Sequence, residues 1–419
     1  MGKLIIEGPA KLTGSVKISG SKNSALPIFA ATLLCDERVV LENVPDLMDI
    51  HTMIEILSAS GCTISFNGGV ATIDPPTRPN TEVPYELVRK MRASFNVLGP
   101  LAAKFGKACV SLPGGCSIGV RPVDYHLEGL QRLGFSTTIE HGIVTAQLQK
   151  KVDEVIISLP FPSVGATEHI MTTAAILNGT HTVIENAAME PEIEDLALFL
   201  NKTGCRVLGA GTRRIEIFGI GRAHGCTHRI IPDRIEAGTY IIAVAATMGN
   251  ALIENLDVSH LISFFDVLES TGVNLSRLSQ DKVMVSMDQR PNGVKIQVTP
   301  YPGFPTDLQP QIIAFLSKAQ GTSTVTETVF KSRFQHVDEL RRLGAKIEVN
   351  DGTAIIYGVD QISGTQVSAT DLRAAAALVI AGLMAKGTTV VNDVDQIFRG
   401  YENLVEKLSN LSAVIEYQQ

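Results

Sequence analysis

The pentapeptide Leu57-Ser58-Ala59-Ser60-Gly61 sets the architecture because it recurs. It returns as Leu130-Gln131-Arg132-Leu133-Gly134, Leu200-Asn201-Lys202-Thr203-Gly204, Leu268-Glu269-Ser270-Thr271-Gly272, Leu340-Arg341-Arg342-Leu343-Gly344 and, with the glycine lost, Leu408-Ser409-Asn410-Leu411-Ser412. Successive copies lie 68 to 73 residues apart. A period of this size marks a repeated supersecondary unit. Each copy closes an amphipathic stretch, so its glycine reads as a helix C-cap. A short alternating hairpin follows, as in Cys62-Thr63-Ile64-Ser65-Phe66 and Val70-Ala71-Thr72-Ile73 across an Asn67-Gly68 turn.

Upstream of each marker lies a second, more apolar helix, predicted over 25–34, 93–103, 167–177, 237–247, 312–319 and 374–385. These helices are the more apolar of each pair and rich in alanine, and are expected to be the buried ones. A β-branched strand follows several of them, at 38–43, 182–186, 251–255 and 388–392. The unit is therefore about 70 residues of buried helix, strand, outer helix and hairpin. Six such units in a thin solenoid would leave their apolar helices exposed. Two groups of three, each closing its sheets around central helices, bury them all. The expectation is an α/β chain of two three-repeat domains, 22–229 and 1–21 joined to 230–419.

Composition agrees with a folded chain. At roughly 150 residues per domain, 419 residues give two or three domains, and 45% hydrophobic with 19% charged residues is a globular balance. A net charge of −7, with 15 Phe, 7 Tyr and no Trp, is poor equipment for a polynucleotide, so no nucleic-acid partner is expected. The longest apolar run, Ala374 to Ala385, is short of the roughly 20 residues that span a bilayer, and no membrane partner is expected. The N-terminal residues lack an apolar signal region, so a cytoplasmic location is expected. The cysteines at 35, 62, 109, 116, 205 and 226 show no paired spacing and are expected as thiols. Nothing in the pattern sets an oligomeric state.

Counting back from each marker shows where charge is reused. The start of the buried helix carries Lys22, Arg92, Ser163, Arg234, Asp307 and Arg373 at offsets of 37 to 42 residues, and the start of the outer helix carries Arg121, Glu190, Arg333 and Arg399. Helix starts favour acidic residues, because free N–H groups and the dipole already attract anions. One arginine there is ordinarily a solvated surface residue. Five cations at matching offsets, Lys22, Arg92, Arg121, Arg373 and Arg399, point instead to a small ligand with several negative charges, such as a phosphate plus a carboxylate.

The loop Pro113-Gly114-Gly115-Cys116-Ser117-Ile118-Gly119-Val120-Arg121-Pro122-Val123-Asp124 is the most unusual stretch. A thiol among glycines and five residues before an arginine is expected to be accessible and acidified, fit for proton transfer or covalent attack; the alternative is a plain surface loop. Cys35, Cys62, Cys109 and Cys205 read as packing residues. His224-x-Cys226-x-His228 lacks a fourth ligand of metal-site spacing, so no metal is expected. Asp307, fenced by Pro302, Pro305 and Pro310, reads as a fixed carboxylate able to act as general base, or as a simple N-cap.

These residues carry a resemblance over the whole chain. Gly20-Ser21-Lys22-Asn23-Ser24-Ala25-Leu26-Pro27, Arg89-Lys90-Met91-Arg92, the Cys116 loop through Asp124, Ser163-Val164-Gly165-Ala166-Thr167, Glu190-Pro191-Glu192, Pro232-Asp233-Arg234, Phe304-Pro305-Thr306-Asp307, Asp371-Leu372-Arg373 and Arg399-Gly400-Tyr401-Glu402 resemble the UDP-N-acetylglucosamine enolpyruvyl transferases, a family within the EPSP synthase superfamily. The resemblance implies an inside-out α/β barrel with the active site in an interdomain cleft. It implies phosphoenolpyruvate held by Lys22, Arg121 and Arg399, with Arg92 and Arg373 adding positive charge. It also implies UDP-N-acetylglucosamine near Asn23, Arg121, Pro122, Val123, Asp124, Ser163, Val164, Gly165, Asp307, Val329 and Arg333. Cys116 would protonate the methylene of phosphoenolpyruvate and be the cysteine that fosfomycin alkylates. Asp307 would serve the sugar hydroxyl, and Asp371 joins Lys22 and Arg399 among the implied catalytic residues. No cofactor is implied, and the pathway is peptidoglycan precursor synthesis.

Two readings compete. The related 5-enolpyruvylshikimate-3-phosphate synthases share architecture and chemistry, but the Gly-Gly-Cys loop argues against them. A non-catalytic six-unit clamp on a polymer would need a basic face, against a net charge of −7. One position departs from part of the family: Phe161 stands where some members carry lysine, so a uracil contact there would be apolar.

Overall fold

The computed structural model describes residues 2–76, 78–113 and 123–419. Six four-stranded sheets alternate with helices, one sheet for each repeat. In every sheet the first strand runs parallel to the second, which pairs antiparallel with a third, and the fourth closes the edge. Glu154–Ser158, His181–Glu185, Arg214–Phe218 and Arg206–Leu208 are one example in spatial order. Three sheets borrow a strand from a distant part of the chain. Thr227–Arg229 joins Val39–Glu42, Thr13–Lys17 joins Asn250–Glu254, and Lys3–Gly8 sits between Gly387–Asn392 and Val414–Gln418.

The repeat markers behave as helix ends. Gly61, Gly134, Gly204, Gly272 and Gly344 all lie at φ between 95° and 100°, a region that favours glycine, and Ser412 keeps the left-handed turn at 71°. A second device recurs after the central strands. Asn43, Asn186 and Asn255, also at positive φ, donate side-chain amides to the carbonyls of Ile230, Leu159 and Ile18 on the neighbouring parallel strand. Asn392 and the Thr328 hydroxyl do the same for Val367 and Val298. One turn differs from expectation: Asn67 pairs with Val70, so Gly68 and Gly69, both at positive φ, make the turn. Two successive positive-φ residues suit a two-residue hairpin, and two glycines adopt them without strain.

The central helices are α1 (Lys22–Thr32), α2 (Leu98–Phe105), α3 (Val164–Ala175), α4 (Arg234–Ala246), α5 (Gln309–Leu316) and α6 (Leu372–Met384). Five of them, all but α2, start two or three residues before the predicted positions, and in four of these five a polar side chain caps the helix. Ser21, Ser163, Asp233 and Asp371 accept from backbone amides in the first turns of α1, α3, α4 and α6. The second helix starts late, with Arg92–Val97 wound as a 3₁₀ turn. Pro100 lacks the N–H that an α-helix running from Ala93 would need, whereas in the first turn of α2 that N–H has no partner to lose.

The described residues divide into two compact units, one of residues 20–113 and 123–231 and one combining Pro232–Gln419 with the residues up to Ser19. Each has its own continuous apolar core. The first is built on α1, α2 and α3 with residues such as Phe29, Leu98 and Ile170, the second on α4, α5 and α6 with Ile241, Phe315 and Leu378.

Candidate functional site

In the unit containing α4 to α6, Asp307 gathers two guanidinium groups. It lies in the 3₁₀ turn Thr306–Leu308 that leads into α5. Its Oδ1 accepts from Nη1 of Arg333 at 2.8 Å and its Oδ2 from Nη2 of Arg373 at 2.9 Å. The two arginine side chains are 4% and 5% exposed, the carboxylate 26%. Buried guanidinium groups require such partners. Burial works against the charge of Arg373, but the Asp307 carboxylate, with Tyr401 and Asp233 adding to it, outweighs burial and raises its pKa above the ordinary value.

Supporting contacts fix this group. Arg333 also donates to the Thr306 hydroxyl at 3.0 Å, and Thr306 donates to Oε2 of Glu327 at 2.8 Å. Oε1 of Glu327 accepts the backbone N–H of Val329 at 2.7 Å and of Phe330 at 3.0 Å, which holds the Val329 segment beside Arg333. Asp371 caps α6, with Oδ1 accepting the amides of Arg373 at 2.8 Å and Ala374 at 3.0 Å. Its observed contacts thus place the backbone that carries Arg373. Arg399 closes the 3₁₀ turn Val394–Arg399, half-buried, and donates to Gln396 at 2.9 Å.

In the other unit Lys22 opens α1, its Nζ 3.1 Å from Oδ2 of Asp49, with both side chains largely buried. Asn23 follows it. Ser24 in the same turn donates to Asp195, a buried carboxylate that also lies 2.8 Å from Nε2 of His228. Arg92 opens the 3₁₀ turn before α2, Asp124 follows Val123 as the first residue of the helix Asp124–Arg132, and Ser163, Val164 and Gly165 form the start of α3. Cys116, Arg121 and Pro122 lie outside the described residues.

Sequence reasoning passed over His126, where several of these positions converge. Arg92 acts electrostatically on its imidazole, and a Cβ on Gly165 would stand 3.3 Å from its Cε1. Nδ1 of His126 lies 3.1 Å from Nδ1 of His169, whose Nε2 accepts the Gly99 amide at 2.8 Å. A neutral His169 must then carry its proton on Nδ1 and donate it to His126, which leaves Nε2–H on His126. Burial pushes both imidazoles down, His126 well below its ordinary value with His169 and Arg92 adding to the effect, and His169 to about 3. The available signal was the place of His126, two residues after Asp124.

Glu168, next to His169, is buried and accepts from the Asn96 amide at 3.0 Å. Burial raises its pKa to about 8, the Asn96 bond opposing and Glu192 and Glu190 adding to the rise. Among the cysteines, Cys35, Cys62 and Cys205 are buried, and burial pushes the Cys62 thiol up to about 11. Of the His224-x-Cys226-x-His228 stretch, His228 is spent on Asp195 and Nδ1 of His224 on the Gly225 carbonyl. Among the described residues no three His, Cys, Asp or Glu side chains are grouped to hold a metal ion, and no helix is long and apolar enough to cross a membrane.

The geometry can be set beside known proteins. The sequence model of the EPSP synthase (3-phosphoshikimate 1-carboxyvinyltransferase) family matches residues 6–408. A UDP-N-acetylglucosamine 1-carboxyvinyltransferase of Pseudothermotoga lettingae is 76% identical over 417 residues, covering the whole of both chains. One from Thermotoga maritima is 57% identical, covering 100% of this chain and 99% of its own. Among solved structures, the enolpyruvyl transferase NikO from Streptomyces tendae superposes with a TM-score of 0.90 at 27% identity, over 100% of this chain and 99% of its own. EPSP synthase from Acinetobacter baumannii reaches 0.78 at 16% identity over the whole of both chains, a likeness of fold.

Proposed function

The chain belongs to the EPSP synthase family, and we propose that it transfers the enolpyruvyl group of phosphoenolpyruvate to the 3′-hydroxyl of UDP-N-acetylglucosamine, releasing phosphate, as the committed entry to peptidoglycan precursors. The observation that carries this reading is the 76% identity, over the full length of both chains, to a relative bearing that name.

The residues supply what the reaction needs. Addition joins the sugar oxygen to C2 of phosphoenolpyruvate while C3 takes up a proton, giving a tetrahedral ketal; elimination removes a C3 proton and expels phosphate. We assign the C3 proton to Cys116, and the phosphate and carboxylate charges to Lys22, Arg121 and Arg399, with Arg92 and Arg373 adding to the positive field. Asp307 is read as the group that orients the sugar hydroxyl. Held on both oxygens by arginines, it presents a fixed edge. Asn23, Val123, Asp124, Ser163, Val164, Gly165, Val329 and Arg333 are read as lining the nucleotide sugar. Asp371 is read as acting through Arg373, whose helix it caps.

A phosphate-release assay tests the proposal. Phosphate should appear from phosphoenolpyruvate only when UDP-N-acetylglucosamine is present. Release that depends on shikimate 3-phosphate instead would reassign the acceptor.

A further inference from the structure

Tyr401 is 1% exposed, in a region of its unit where α4, α5 and α6 pack on one another. One polar side chain from each helix reaches its hydroxyl: Thr239 from α4 at 2.9 Å, Gln311 from α5 at 3.2 Å and Arg373 from α6 at 3.2 Å. The protons can be placed. Thr239 spends its own hydroxyl proton on the Ile235 carbonyl at 2.8 Å, so its oxygen accepts from Tyr401. The phenol oxygen in turn accepts from Nη1 of Arg373, while the two amide protons of Gln311 are shared among the Tyr401 hydroxyl, the Thr239 hydroxyl at 3.1 Å and the Asp307 carbonyl. Burial, opposed first by Arg373, leaves the phenol pKa raised, which keeps the proton this arrangement requires.

Polar groups in so apolar a core are costly, and among the described residues Oε1 of Gln311 has no hydrogen-bond partner; the bonds of Arg373 and Gln311 lead on to the candidate site. Arg373, whose guanidinium stands 5.6 Å from the Tyr401 ring centre, grips Asp307 with its other nitrogen. Gln311 also donates to the Asp307 backbone carbonyl at 2.9 Å. Asp307 is therefore tied to this hydroxyl through both its side chain and its main chain. Phenylalanine would fill the same volume and keep the ring near the guanidinium, so what tyrosine adds is the hydroxyl.

We propose that Tyr401 is a positioning residue for the enolpyruvyl transfer: its hydroxyl sets the angle of the Arg373 guanidinium and, through it, the Asp307 carboxylate. The inference rests on the function proposed above and extends it to a residue that is 1% exposed and acts through Arg373. Misplacing a reacting geometry by about 1 Å can cost on the order of a hundredfold in rate. Tyr401→Phe should therefore lower kcat about tenfold or more while both KM values stay within about twofold.

The experiment is phosphate release from phosphoenolpyruvate and UDP-N-acetylglucosamine by the full chain, normalised to folded enzyme by its melting transition. Wild-type turnover comes first, and its absence overturns the transfer reading itself. With wild-type turnover present, a folded Tyr401→Phe of unchanged kcat overturns the positioning role. If Tyr401→Phe does not fold, Thr239→Val and Thr239→Ser decide. Loss in the valine variant with most of kcat retained in the serine variant, which keeps the acceptor, supports the role, and equal rates in the two overturn it.

Discussion

Glu168 is a carboxyl group whose burial makes its charge expensive. Its folded pKa, raised from 4.5 to about 8, means that the native chain holds a proton there which the unfolded chain releases. The stabilisation is complete below the unfolded value and is lost as pH rises through the folded one. The melting temperature of the wild type relative to Glu168→Gln should therefore fall by several degrees between about pH 5 and about pH 9; a constant difference would show that Glu168 does not titrate in this range. Cys116 carries the other expectation at this scale. Cys116→Ala should lose most of the phosphate release, and peptide mapping after fosfomycin treatment should find the label on Cys116. A label on another cysteine, or none, would remove the thiol from the mechanism.

At the scale of elements, the approach of α2 to α3 depends on Gly99. A Cβ there would fall 1.9 Å from the Thr173 hydroxyl and 2.5 Å from Nε2 of His169, the acceptor of the Gly99 amide. Overpacking of this kind costs about 1 to 3 kcal/mol. Gly99→Ala should lower the urea midpoint accordingly without changing the slope of the transition, and an unchanged midpoint would mean the two helices have slack. Much of this level was legible in advance. The markers fall at left-handed helix ends, and the strands expected at 38–43 and 182–186 fall within a residue of Val39–Glu42 and His181–Glu185. What was not legible depends on partners far along the chain. Five of the six central helix starts were read too late because the apolar run was counted from inside the first turn, whereas in four of them a polar cap sets the start two or three residues earlier. Asp307 and Arg373 could be assigned to the recurring start of the buried helix and Arg333 to that of the outer helix, yet no spacing rule says that one carboxylate takes both arginines. Tyr401 and the His126–His169 pair escaped for a like reason: a buried tyrosine or histidine looks like core until its polar atoms find partners in other repeats.

At the scale of the whole molecule, the repeats make two separate cores, and the second is completed by the start of the chain. Lys3–Gly8 pairs through its full length with Gly387–Asn392 and along most of it with Val414–Gln418, and its Leu4 and Ile6 are wholly buried. Deleting residues 2–8 opens a sheet in its middle, where unpaired backbone groups and lost apolar burial act together. Amide hydrogen exchange should then show the strands of Pro232–Gln419 unprotected while those between Gly20 and Ile231 keep their protection. Equal loss throughout would mean that the two cores do not melt separately.

The same strand imposes an order on synthesis. A ribosome adding roughly 5 to 20 residues per second needs about 20 to 80 seconds to pass from Lys3 to Val414. Until Gly387–Asn392 has been made Leu4 and Ile6 have no native sheet to enter, although once Ile231 has been added every described strand between Gly20 and Ile231 has its partner. The nascent polypeptide thus carries an unpaired apolar strand past a finished neighbour, and a chaperone that shields such strands would act on Lys3–Gly8 first.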